Sequence, residues 1–169
     1  MSAKDILKLM SSKEIEYVDL RFTDPRGKLQ HLTMDGKMVD EEMLNEGVFF
    51  DGSSIAGWKA INESDMILKP DLSRQVIDPF TSHNTLILFC DILDAVKKDP
   101  YERDPRSIAK KAEAYLKKTG IGDKAYFGPE AEFFVFDDVK FKNLIASFLH
   151  IRIRIFFYKL SLFESFHLL

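Results

Sequence analysis

Cysteine is nearly absent from this chain, Cys90 being the only one in 169 residues. A disulfide framework and a cysteine-based zinc site are thereby excluded within one chain. The opening "MSAKDILKLMSSKE" lacks the apolar stretch and small-residue cleavage site of a secretory signal, so a soluble, cytoplasmic protein is the expectation. There is no basic stripe with interleaved aromatics, and 24 basic against 27 acidic side chains leave a net charge of −3, which gives no reason to expect nucleic acid as a partner. Internal repeats are missing. His31, His83, His150 and His167 are scattered, none with a partner at metal or triad spacing. What is present is a globular composition, 46% hydrophobic, enough for one domain or a domain plus part of another.

"SAKDILKLMSS" predicts a short helix capped by Ser2, with Ile6, Leu7, Leu9 and Met10 on its apolar side. In "YVDLRFTDPRGKLQHLTM", Val18, Leu20 and Phe22 alternate with Asp19, Arg21 and Thr23, and "DPRG" supplies the turn of a β-hairpin. "DEEMLNEG" predicts one or two helical turns ended by Gly47. Residues 50–65 are polar and glycine-bearing and read as a long loop, a feature that is often functional in a compact domain. "MILKPD" and "NTLILFCDIL" read as strands, the latter placing Cys90 in the core. The strongest helix signal is "DPRSIAKKAEAYLKKTG": Asp104 caps it, Pro105 suits the first turn, Gly120 ends it, and Ile108, Ala112, Tyr115 and Leu116 make one face. "KAYFGPEAEFFVFDD" then reads as a strand.

Beyond about residue 141 the texture changes. Residues 142–169 contain no Gly, Pro or Asp and are dominated by Phe, Leu and Ile. Arg152, Arg154 and Lys159 break every apolar run well short of the roughly 20 residues a membrane span needs. Two readings remain: an amphipathic strand, "IRIRIFFY", or the out-of-frame translation of an A/T-rich gene, in which turn punctuation disappears.

The pair Glu130 and Glu132 poses a physical question. On a strand, i and i+2 share a face roughly 7 Å apart, and neighbouring carboxylates repel. A solvated face would tolerate them. So would a hard cation such as magnesium or manganese, although a divalent ion wants about six ligands and the nearby His, Asp and Glu residues are not obviously arranged to supply them. Gly52 and Gly57 have P-loop spacing, but Trp58 stands where lysine should follow and no Ser or Thr succeeds Lys59, so the phosphate-loop pattern fails. That leaves a polar loop carrying Asp51 and Asp65.

Three stretches together carry a resemblance. "FFDGSSIAGWKAINESDMIL", "GPEAEFFVFDD" and "DLRFTDPRGKLQHLT" resemble the N-terminal signature, the opening of the catalytic domain and the first hairpin of bacterial type I glutamine synthetases, over about residues 3–141. The resemblance implies an α+β fold: a β-grasp domain over residues 1–100, then the first helix and strand of the catalytic domain over 101–141, with 142–169 unrelated. It implies ATP-dependent condensation of glutamate with ammonium through a γ-glutamyl phosphate, with Mg2+ or Mn2+ as cofactor. It implies ring-type dodecamers for full-length relatives, and neither nucleic acid nor membrane as partner. Carried over by position, Asp51 resembles the acid that binds ammonium and helps deprotonate it, on a loop that reaches the adjacent subunit. Ser53, Ser54 and Trp58 would shape that loop. Glu130 resembles a ligand of the metal nearer ATP, and Glu132 a ligand of the metal nearer glutamate. The remaining metal ligands and the nucleotide pocket of the family lie downstream of the match, so a truncated, inactive chain is the expectation. A ligase for a larger amine and a non-catalytic fragment that binds full-length subunits are the alternatives.

Overall fold

The computed structural model describes residues 1–55, 57–58, 64–140 and 152–155, with backbone alone for 137–140 and 152–155. They fall into two units, Met1–Ala125 and Tyr126–Leu169. In the first unit the elements run α1 (Ala3–Ser12), β1 (Tyr17–Thr23), β2 (Leu29–Asp35), α2 (Glu41–Glu46), β3 (Val48–Asp51), β4 (Asp65–Ile77), β5 (Thr85–Asp94) and α3 (Pro105–Thr119). The second unit holds β6 (Phe136–Lys140) and β7 (Arg152–Ile155).

Local chemistry sets most of these boundaries. Ser2 and Asp5 form a reciprocal capping box at the start of α1. The turn between β1 and β2 closes through the Gly27 amide donating to the Asp24 carbonyl at 2.9 Å, with Gly27 at φ 82°. Asp40 caps α2, and Gly47 ends it at φ 90°, packed so closely on the Leu68 carbonyl that a Cβ would collide. Proline at position 70 cannot donate to the ladder, and the β4–β5 register shifts between Pro70 and Gln75.

The five strands of the first unit form one sheet in the order β2-β1-β5-β4-β3. β1 and β5 run parallel at its centre, and every other neighbour pair is antiparallel. The alternation of β1 is realised on one face, where Val18, Leu20 and Phe22 meet Met66, Leu68, Leu86, Leu88, Cys90 and Ile92. Ile6 and Met10 of α1 and Met43 and Leu44 of α2 cover that face. Each fully buried Leu or Ile here contributes about 1.5–3 kcal/mol. The other face carries charge: Asp19, only 4% exposed, accepts from Thr33 Oγ1 (2.7 Å), Arg21 Nε (2.7 Å) and His31 Nδ1 (2.8 Å). Arg21 continues to Asp78 at 3.0 Å. Pairing Asp19 with Thr33 and Arg21 with His31 across the ladder thus gives His31 a carboxylate partner that its sequence neighbours do not supply.

Two expectations need correction. Residues 50–65 do not begin as loop, because Phe50 and Asp51 belong to β3, and a 3-10 turn follows at Gly52–Ser54. The strand expected over 124–138 starts only at Phe136; residues 124–135 have no ladder partner among the described residues, and an extended segment without one is not a sheet strand. The helix expected from "DPRSIAKKAEAYLKKTG" forms as α3, with the face bearing Ile108 and Tyr115 exposed and only Ser107 of that helix buried. In the tail, Arg152–Ile155 pairs antiparallel with β6, as the alternation of "IRIRIFFY" suggests. Residues 141–151 and 156–169 lie outside the described residues, as do 56 and 59–63 of the loop. No helix among the described residues is long and apolar enough to cross a membrane.

Candidate functional site

The polar loop is built at the open end of the β3–β4 ladder. Asp51 closes β3, and its carboxylate accepts from the Ser53 amide (2.8 Å) and the Ser53 hydroxyl (2.6 Å), making the cap of the 3-10 turn. The Ser53 hydroxyl, the Ser53 amide and Ser64 hold the exposed Asp51 carboxyl below its ordinary value, so it is an anion at neutral pH. Directly across the ladder stands Asp65. Like charges facing each other across a strand pair repel, a cost that a cation would relieve. The Gly52 amide donates to the Ser64 carbonyl at 2.7 Å, and a Cβ at Gly52 would run into the Met66 side chain, so glycine is required there by space. Ser54 ends the turn, exposed.

Trp58 anchors the loop. It is 4% exposed and sits among Phe22 (ring centroids 5.5 Å), Phe50 (6.0 Å) and Tyr101 (5.8 Å). Its amide donates to the Ile55 carbonyl at 3.2 Å, and the Ile55 amide to the Gly52 carbonyl at 3.1 Å. Its indole Nε1 is buried without an acceptor among the described residues. Two residues that the sequence pattern did not single out hold the far end: Tyr101 Oη donates to the Trp58 carbonyl at 3.0 Å, and Arg103 donates to the Gly57 carbonyl at 3.1 Å. Nothing in sequence spacing announces these bonds, which join residues 43 and 46 positions apart.

Glu130 and Glu132 belong to the second unit and are exposed, in a stretch without regular secondary structure. As donors they suit a hard cation, but two carboxylates do not complete a site, and no group of three His, Cys, Asp or Glu side chains converges among the described residues. No metal-dependent step follows from this geometry.

Comparison with known families decides what these two segments belong to. A profile described as "Glutamine synthetase, beta-Grasp domain" matches residues 14–95, and one described as "Glutamine synthetase, catalytic domain" matches 102–158. The chain belongs to the glutamine synthetase family. A glutamine synthetase of Azorhizobium caulinodans is 63% identical over 141 residues, covering 83% of this chain and 30% of the relative. One of Rhizobium meliloti is 62% identical over 141 residues, with the same coverage. The solved Plasmodium falciparum glutamine synthetase superposes with a TM-score of 0.72 at 24% identity, covering 90% of this chain and 29% of that one, which supports the α+β fold with its β-grasp domain. The chain thus spans about 30% of the length of the curated relatives it matches.

Proposed function

We propose that this chain is the N-terminal portion of a glutamate–ammonia ligase, an enzyme that forms glutamine from glutamate, ammonium and ATP through γ-glutamyl phosphate. The observation that carries the reading is Asp51, an exposed anion on a turn pinned by Ser53 and backed by Asp65. A small cation such as ammonium binds best against a closely placed, desolvable carboxylate, and lowering the pKa keeps that carboxylate charged. Ser53, Ser54 and Trp58 shape the turn that presents it. Glu130 and Glu132 supply oxygen donors toward Mg2+ or Mn2+, the former on the ATP side and the latter on the glutamate side, with the rest of the ligand set outside the described residues. Ring-type assembly, with the Asp51 loop serving an adjacent subunit, goes with this reading.

By itself the chain is expected to make no glutamine. Two exposed carboxylates cannot hold a nucleotide and a metal in the preorganised geometry that phosphoryl transfer demands. Turnover above the enzyme-free blank, abolished by Glu130→Ala, would contradict this. The positive test is a chimera in which residues 1–141 replace the matching segment of the Azorhizobium caulinodans enzyme. It should form glutamine, and Asp51→Asn should raise KM for ammonium. An assembled chimera that prefers methylamine to ammonium would favour the larger-amine ligase instead, and one with no ligase activity would end the proposal.

A second reading, a non-catalytic fragment that binds full-length subunits, draws on the exposed apolar side chains of α3 and of residues 133–136. Co-purification with a full-length subunit would support it. For residues 142–169 the composition favours an out-of-frame origin, while the profile match reaching residue 158 speaks for the strand. Translating the nucleotide sequence after codon 141 in the other two frames decides between them.

A further inference from the structure

Tyr101 and Arg103 lie outside the residues matched by the β-grasp profile, which ends at 95, and at the threshold of the catalytic profile, which begins at 102. Both nevertheless spend their polar groups on the Asp51 loop. Tyr101 is 7% exposed, its backbone amide donates to the Ile92 carbonyl of β5 at 2.8 Å, and its hydroxyl donates to the Trp58 carbonyl in a buried bond. Arg103 reaches the Gly57 carbonyl at 3.1 Å and the Trp58 carbonyl at 3.4 Å with one nitrogen. From those carbonyls a continuous series of backbone bonds leads back through Trp58, Ile55 and Gly52 to the turn that Asp51 caps. The base of this clamp is itself fixed: Asp104, fully buried, accepts from the Ile92 amide and from the Ser107 amide and hydroxyl, so the start of α3 and the end of β5 are locked together.

We infer that Tyr101 and Arg103 are positioning residues for the Asp51 loop: the segment that opens the catalytic portion of the chain sets the placement of the turn bearing the ammonium-binding carboxylate. The assignment of ammonium to Asp51 rests on the function proposed above; the clamp itself does not. The Trp58 carbonyl, held by a buried phenol and from the surface by the Arg103 guanidinium, loses the phenol only at a cost, because the oxygen cannot turn to water without moving the loop. Tyr101→Phe removes one bond and keeps the ring packed on Trp58. Arg103→Gln removes the charged donor on an exposed side chain and leaves the core untouched.

The test is amide hydrogen exchange on the full chain, compared across wild type, Tyr101→Phe and Arg103→Gln. Losing a bond worth about 1 kcal/mol corresponds to roughly fivefold faster local opening. The Ile55 and Trp58 amides should therefore exchange about fivefold faster in each variant, while the Leu20 and Leu88 amides of the central strands hold their wild-type rates. Trp58 is the sole tryptophan, so acrylamide quenching of its emission reports the same site independently and should rise in parallel. Unchanged exchange at Ile55 and Trp58 in both variants would overturn the inference. So would an equal rise at Leu20 and Leu88, which would mean that the two residues only stabilise the whole unit. If the clamp result holds but the chimera carrying Asp51→Asn keeps its KM for ammonium, the clamp stands and the role of Asp51 falls.

Discussion

Replacing Asp104 by alanine should destabilise the first unit by about 2–4 kcal/mol. The estimate follows from what the carboxylate does. It caps α3 through the Arg106 amide (3.2 Å) and the Ser107 amide (3.1 Å), and losing a cap costs about 1 kcal/mol. It also accepts from the Ser107 hydroxyl (2.9 Å) and from the Ile92 amide of β5 (3.4 Å). Ile92 is fully buried and Ser107 is 4% exposed, so neither donor turns to solvent when the acceptor disappears. A buried, unsatisfied donor costs about 1–3 kcal/mol, with the long Ile92 bond at the weak end of that range. Asp104→Asn keeps an oxygen acceptor and should recover at least half of the loss. The assay is urea unfolding near neutral pH, followed by Trp58 fluorescence and far-UV circular dichroism, with the two midpoints required to coincide. A loss below about 1 kcal/mol for alanine, or asparagine as damaging as alanine, would refute the view that this side chain joins α3 to the sheet by hydrogen bonding.

Cys90 is fully buried and its burial pushes the thiol well above its ordinary value, so it should resist thiol reagents in the native state and react only as urea unfolds the chain; stoichiometric labelling without loss of circular dichroism would disprove this. Acid should destabilise the fold in a defined window. Burial raises the Asp19 carboxyl, but bonds from Thr33, Arg21 and His31 outweigh it, while Gln30 lowers Asp24 and Ser73 lowers Asp71. Depressed carboxyls contribute stability that is complete above their unfolded value, about 3.8–3.9, and is lost as pH falls through the lower folded values. The urea midpoint should therefore hold from neutral pH down to about 4 and decline below it; a midpoint that improves below that point would reverse the sign. Size-exclusion chromatography of the full chain should show association through exposed Ile108, Tyr115, Phe133 and Phe134, less so after truncation at Ala125; a monodisperse monomer of the full chain would contradict it. A cut at Ala125 keeps the buried Tyr101 and Asp104 with the sheet they pack on.

Much of the first unit is legible in the sequence because its signals are local. Ser2, Asp104 and Gly120 mark helix ends through bonds spanning a few residues, and the alternation of Val18, Leu20 and Phe22 needs only the period of a strand. Asp51, Gly52 and Ser53 form a turn through bonds between neighbouring residues, a local feature, whereas a role for Asp51 enters the sequence reading only through the resemblance. Periodicity, however, says only that a face is apolar and not that anything covers it: Ile108 and Tyr115 share one face of α3, yet both are exposed. The same limit applies to residues 124–135: β-forming residues make a strand only when another strand accepts their hydrogen bonds. Strand order, the parallel pairing of β1 with β5 and the meeting of Tyr101 with Trp58 depend on contacts between distant parts of the chain. Tertiary structure alone decides them, because a hydrogen bond depends on distance and angle in space, and separation along the chain specifies neither.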